Sequence, residues 1–214
     1  MDELTTLQKI AVWALPVIFG VTVHEAAHGW VANKRGDSTA RLLGRLTLNP
    51  LRHIDLIGTL LLPALMMIMT NFIFGWAKPV PVNEANLKQP KRDMALVALA
   101  GPTANLLMAV LWAMVMAAGK ASAGVVPYVA LPMIYMGSAG VLINGILMLL
   151  NLLPIPPLDG SRVLMWLLPD SLSNMLRQLE PYGFAILILL LVTGVLGQIL
   201  LPALNLFLEF FGVH

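Results

Sequence analysis

The stretch FGVTVHEAAHGWVA, residues 19–32, sets two histidines and a glutamate inside a run that is otherwise apolar. His24 and His28 are four residues apart, so on a helix both imidazoles leave the same face and can converge on one metal ion. Glu25 follows the first histidine and points off that face. It is poorly placed to ligate but can reach a water beside the metal and take its proton. HExxH also arises by chance as a polar stripe on soluble helices. In an apolar segment, however, each ionisable group costs about 2.5–3.5 kcal/mol on insertion scales, so a cluster of them demands a compensating function.

The surrounding chain has the same character. Of 214 residues, 58% are hydrophobic and 11% charged, with mean hydropathy +0.83, which is more apolar surface than a soluble domain of this size can bury. Apolar stretches fall at 8–32, 56–76, 94–118, 127–153 and 183–211, each long enough to cross or deeply enter a hydrocarbon core about 30 Å thick. The expected fold class is an all-α polytopic membrane protein, a single integral-membrane domain over 1–214. The first stretch contains His and Glu and is longer than a removable signal peptide requires. The chain has no cysteine, which excludes disulfides, thiolate metal sites and a cysteine nucleophile. Net charge is +2. The basic residues sit in short loops without interleaved aromatics, a pattern of membrane orientation and not of nucleic-acid binding.

Catalytic zinc takes three protein ligands and keeps a fourth position for water, so one further ligand is needed. Most remaining acidic residues lie in polar loops or near the ends of the chain, and Asp159 is the best placed. It closes NLLPIPPLDG, residues 151–160, where three prolines interrupt a regular helix and Gly160 permits a turn. Such irregular backbone is tolerated at membrane depth only when protein or a water-filled cavity covers it. The bland alternative is a proline-rich helix exit with an interfacial cap. Asp55 is the runner-up ligand, and His53, with no companion at metal spacing, reads as an interfacial residue.

These residues resemble the site-2 proteases, zinc enzymes that cut substrates within or near their transmembrane helices. The resemblance lies in His24-Glu25-Ala26-Ala27-His28 together with Leu158-Asp159-Gly160, in AGPTANLL at 100–107, and in Asn151, eight residues before Asp159. NPLRHID at 49–55 and KPVPVN at 78–83 are similar to the smaller branch of that family, which lacks PDZ and CBS domains. The resemblance implies one Zn2+ per chain on His24, His28 and Asp159, with Glu25 as the general base. It also implies that Asn151 holds the substrate backbone or the developing oxyanion, and that the substrate is a transmembrane protein in the bilayer.

Topology is an independent test of the ligand set. If all five stretches crossed, Asp159 would emerge on the face opposite His24 and His28. The segments 33–53, 77–93 and 154–182 hold five, four and two Lys/Arg, while 1–9 and 119–126 hold one each. Simple alternation puts six basic residues inside and seven outside; if 56–76 dips in and returns, the split becomes eleven against two, as the positive-inside rule expects. The expectation is therefore four full crossings, one re-entrant segment and a short strand-like loop, with the site toward the cytoplasmic side of a prokaryotic membrane.

Other expectations are narrower. Small residues opening 94–118 predict close packing beside the metal helix. Asn105 is equally a substrate contact or an interhelical hydrogen bond. KPVPVN offers an extended edge to an unwound substrate through Val80 and Val82, although Pro79 and Pro81 have no N–H to donate. Residues 161–180 predict an amphipathic interfacial helix, and 183–211 is either one kinked crossing or a crossing with a folded-back tail. The rival functions are a membrane metal-ion transporter or sensor, which leaves Glu25 without a task, and an inactive scaffold, which should lack a ligand or the base. A homo-oligomer stays open.

Overall fold

The computed structural model describes residues 5–53, 55 and 78–213. The regular elements among them are helices: α1 (Thr6–Arg35), α2 (Thr39–Leu42), α3 (Pro90–Ser122), α4 (Pro127–Asn151), α5 (Asp159–Leu167), α6 (Asp170–Gln178), α7 (Gly183–Val192) and α8 (Val195–Phe210), with short 3-10 turns between some of them. Four helical stretches are long and apolar enough to cross a membrane: Thr6–Arg35, Pro90–Ser122, Pro127–Asn151 and Asp170–Val192, the last spanning α6 and α7. The chain is an all-α polytopic membrane protein. Residues 56–76, expected to re-enter, lie outside the described residues.

α1 begins with a capping box, in which the Thr5 side chain accepts from the Gln8 amide and the Gln8 side chain answers the Thr5 amide. It ends at Gly36, whose φ of 118° is left-handed. A Cβ at Gly36 would also lie 2.9 Å from the Asn86 carbonyl oxygen, so glycine is required there for both conformation and space.

The core is the triangle of α1, α3 and α4. Lipid gives helices no hydrophobic reason to associate, and here small residues supply the contact. A Cβ on Gly137 would meet Met116 Cβ at 2.6 Å, and one on Gly140 would fall within the Trp112 ring. Ala95, Ala98, Gly101 and Ala104 of α3 are buried, and α3 packs against α1 as their composition predicts. α5 packs on α3.

The amphipathic stretch expected at 161–180 is two helices, α5 and α6, because Leu168 precedes Pro169 and is extended, with ψ 151°. The stretch 183–211 is also divided, at Gly194 with φ 77°. Its start is pressed against Pro156, where a Gly183 Cβ would lie 2.2 Å from the carbonyl oxygen. At its far end the Gly212 carbonyl accepts from Lys120 Nζ, in the last turn of α3. Residues 183–211 are thus two helices, of which the second, α8, packs on α4.

Contacts gather the basic segments at one end. Lys88 N–H donates to the Arg35 carbonyl, and Lys78 N–H donates to the His53 carbonyl at 2.9 Å. Arg45 donates to the Lys78 and Pro79 carbonyls, and Arg162 pairs with Glu84 at 3.2 Å. Lys120 sits at the opposite end, in the last turn of α3.

Candidate metal centre

α1 carries His24 and His28 on one face, and α5 presents Asp159 in its first turn. The His24 and His28 Nε2 atoms are 3.0 Å apart, and Asp159 Oδ2 lies 3.3 Å from the first and 3.4 Å from the second. The two rings stand edge-on, 86° between planes. Both imidazoles are largely buried and Asp159 is half-buried. Two elements distant in sequence therefore bring three ligand atoms within 4.8 Å of one another.

The outward nitrogens decide what the inward ones can do. His28 Nδ1 lies 2.7 Å from the Val97 carbonyl oxygen, which can only accept, so Nδ1 carries the proton and Nε2 keeps its lone pair. His24 Nδ1 lies 2.5 Å from Asn105 Oδ1, and the same logic applies. Two imidazole lone pairs and a carboxylate oxygen then face each other, and Asp159 Oδ2 is buried without a hydrogen-bond partner. Three acceptors in mutual contact repel unless a cation lies among them, so this donor set fits zinc in both ligand type and number. Gly101 makes the room: its Cβ would lie 2.5 Å from His24 Cε1 and from His28 Nε2.

Glu25 leaves α1 on the neighbouring face, and its Oε2 accepts the Val80 N–H at 2.8 Å. Val80 is buried, with its side chain toward Gly29. KPVPVN is irregular, with no strand among the described residues, and the Val80 N–H is already spent on Glu25. Val82 is half-buried. Asp37 pins the following turn. This fully buried carboxylate accepts from Asn83 N–H (2.7 Å), Asn86 Nδ2 (2.9 Å) and the Thr39 amide and hydroxyl. Burial pushes its pKa up, but the hydrogen bonds from Asn86, Thr39 and Asn83 outweigh that and hold it below the ordinary carboxylate value.

The remaining expected residues fall elsewhere. Asn151 Nδ2 donates to the Leu147 carbonyl of its own helix, so its amide is turned toward α4. Asn105 is fully buried, with its carboxamide on His24 and on α4, the interhelical position and not a surface for substrate. His53 is buried and bonds the Thr47 carbonyl. Asn144 and the Val80 amide escaped the sequence reading. A lone amide in an apolar helix was the available signal for Asn144, as it was for Asn105.

Comparison with known proteins agrees with this chemistry. The chain is 38% identical over 199 residues to the candidate zinc metalloprotease YwhC of Bacillus subtilis (strain 168), covering 89% of this chain and 84% of that protein. It is 30% identical over 220 residues to the candidate zinc metalloprotease Rip2 of Mycolicibacterium smegmatis, covering 99% of this chain and 80% of that protein. No family model matches the chain, and no solved structure matches it at significance.

Proposed function

The chain belongs to the site-2 protease family of zinc metalloproteases, and we propose on that premise that it hydrolyses peptide bonds within or beside the transmembrane segments of membrane-protein substrates. The observation that carries the proposal is the convergence of His24, His28 and Asp159, with Glu25 beside them, on helices apolar enough to lie in the bilayer. Zinc bound there supplies Lewis acidity, bringing the pKa of water toward neutrality and polarising a carbonyl. His24, His28 and Asp159 hold the ion. Glu25 moves the proton: with Oε2 anchored by Val80 N–H, Oε1 takes the proton from water and later returns it to the leaving amine. The burial of both histidines in the bundle excludes bulk water and strengthens each of these electrostatic interactions.

Asn151 keeps its proposed role toward the substrate carbonyl only if its amide leaves Leu147 when substrate arrives. Val82 is the better placed of the two valines to meet an extended substrate, because Val80 is already engaged with Glu25 and Gly29.

The test is Glu25→Gln, assayed on a transmembrane substrate in proteoliposomes. Zinc content should stay at one per chain while the cleavage rate falls by about 10²–10⁴, the usual worth of a positioned general base. A variant that keeps its cleavage rate overturns the role given to Glu25. An ion transporter with the same ligands would go on moving zinc in this variant.

The orientation rests on the charge pattern and on the contacts that bring 33–53 and 78–93 to one end of the bundle. With His53 and Lys78 joined by a hydrogen bond at that end, the metal centre is proposed to face the cytoplasm. Lys88 is exposed. Since the native chain has no cysteine, Lys88→Cys in inside-out vesicles should react with an impermeant thiol reagent, and reaction only in right-side-out vesicles overturns this topology.

A further inference from the structure

We infer that Asn144, on α4 and not on the helix that carries the HEAAH motif, is a positioning residue that holds His24 in its metal-ligating tautomer through Asn105. The inference rests on His24 being a zinc ligand, and goes beyond it by naming what keeps that nitrogen available. Both asparagines are fully buried, at 0% exposure, where an unpaired polar group is expensive and each amide must settle into one orientation.

The orientation can be read from the ends of the chain of bonds. The Gly140 carbonyl can only accept, so the group facing it at 2.8 Å is the Asn144 NH2. Asn144 must then turn its oxygen the other way, and that oxygen accepts from Asn105 Nδ2 at 2.9 Å. The second Asn105 N–H goes to the Gly20 carbonyl at 3.1 Å. With both its hydrogens committed to acceptors, Asn105 presents Oδ1 to His24 Nδ1. Turning Asn105 over would set its oxygen against two other oxygens and its NH2 against the ring.

An oxygen at Nδ1 requires the proton on Nδ1 and leaves the Nε2 lone pair free for the metal. Backbone carbonyls on α4 and α1 thus fix the tautomer of a ligand through two side-chain amides. Gly20 takes part in a second way, because a Cβ there would lie 3.2 Å from Asn144 Oδ1. His28 needs no such relay, since its Nδ1 meets the Val97 carbonyl directly.

The experiment measures zinc affinity by chelator competition in nanodiscs for Asn144→Leu, Asn144→Asp and His24→Ala. Asn144→Leu removes the acceptor and leaves one Asn105 N–H unpaired. Zinc affinity should fall about tenfold, the low end of the 10–100-fold found for outer-shell partners, because the Gly20 anchor remains. Asn144→Asp, kept neutral by burial, can donate O–H to Gly140 and accept from Asn105, and should bind like the parent protein. A merely structural polar contact would not separate these two variants at equal thermal stability. Parent-like affinity in Asn144→Leu overturns the inference, while unchanged affinity in His24→Ala overturns the ligand reading itself. A direct measurement needs no variant: nitrogen chemical shifts of the metal-free protein labelled at histidine should show His24 protonated at Nδ1, and protonation at Nε2 overturns the relay.

Discussion

The triangle of α1, α3 and α4 and the C-terminal pair α7–α8 are both apolar, yet they are built to different ends. The triangle is threaded with small residues and amides: Gly20, Gly29, Gly101, Gly137 and Gly140 each have atoms of another segment crowding the place where a Cβ would go, and Asn105 and Asn144 are sealed inside. The C-terminal pair is mostly leucine, isoleucine, valine and phenylalanine facing outward, as with Val192, Leu206 and Phe210. A Cβ on Gly197 would meet nothing closer than 3.8 Å. Greasiness puts a helix into lipid, whereas close backbone approach and shared hydrogen bonds decide which helices stay together there. Among the described residues, the candidate metal centre lies where the second condition is met.

The sharpest way to break this contrast is alanine at one glycine from each region. Gly101→Ala puts a methyl 2.5 Å from both imidazoles and should displace at least one ligand, lowering zinc affinity by at least about 10–100-fold at unchanged helix content. Gly197→Ala should leave zinc content and stability as they were. Equal zinc affinity in the two variants, read by chelator competition, would erase the distinction.

A smaller effect separates the two ends of the bundle. The metal end is stitched by Asp37, whose folded-state pKa lies below its ordinary value. A depressed carboxylate contributes stability that is fully present above the unfolded pKa and is lost as the pH falls through the folded one. Hydrogen exchange in 83–88 should therefore accelerate as pH drops below the usual carboxylate range, once intrinsic rates are corrected. Asp37→Ala should show that loosening at neutral pH, at a cost of about 2 kcal/mol for charge-assisted bonds. Acceleration confined to 119–126 instead would place the stitch at the wrong end.

The smallest effect belongs to the break in the C-terminal passage. Gly194→Ala forces a side chain into the left-handed region at φ 77°, which costs about 1–2 kcal/mol. Thermal unfolding should shift down slightly while zinc affinity does not change. A loss of zinc would mean that the two regions are coupled after all.

The sequence showed the parts of the centre that follow from local spacing. His24, Glu25 and His28 follow from helical geometry, and Asp159 from prolines that bar a helix and a glycine that allows a turn. The close approach of α3 was legible in its alanines. What lay beyond reach depended on which backbone faces which side chain. No pattern in 78–83 announces that the Val80 amide meets Glu25, and nothing local distinguishes Asn144 from an idle amide. Asn151 was read through the resemblance toward substrate, whereas its side chain bonds the Leu147 carbonyl, an alternative every helical asparagine has within four residues. The divisions at Pro169 and Gly194 were present as residues, but whether a membrane helix kinks or breaks at such points is settled by its neighbours.

The two histidines and the proposed general base come from the first helix, while the proposed third ligand opens α5, beyond the third long helix. During synthesis, a chain that has reached only Asn151 has every group for proton transfer but no complete cage for the ion. On the proposed function, peptide bonds in the membrane around the nascent chain stay uncut until Asp159 arrives. Thereafter the ion favours only the assembled bundle, so the free zinc level becomes one of the quantities that set how firmly the helices hold together.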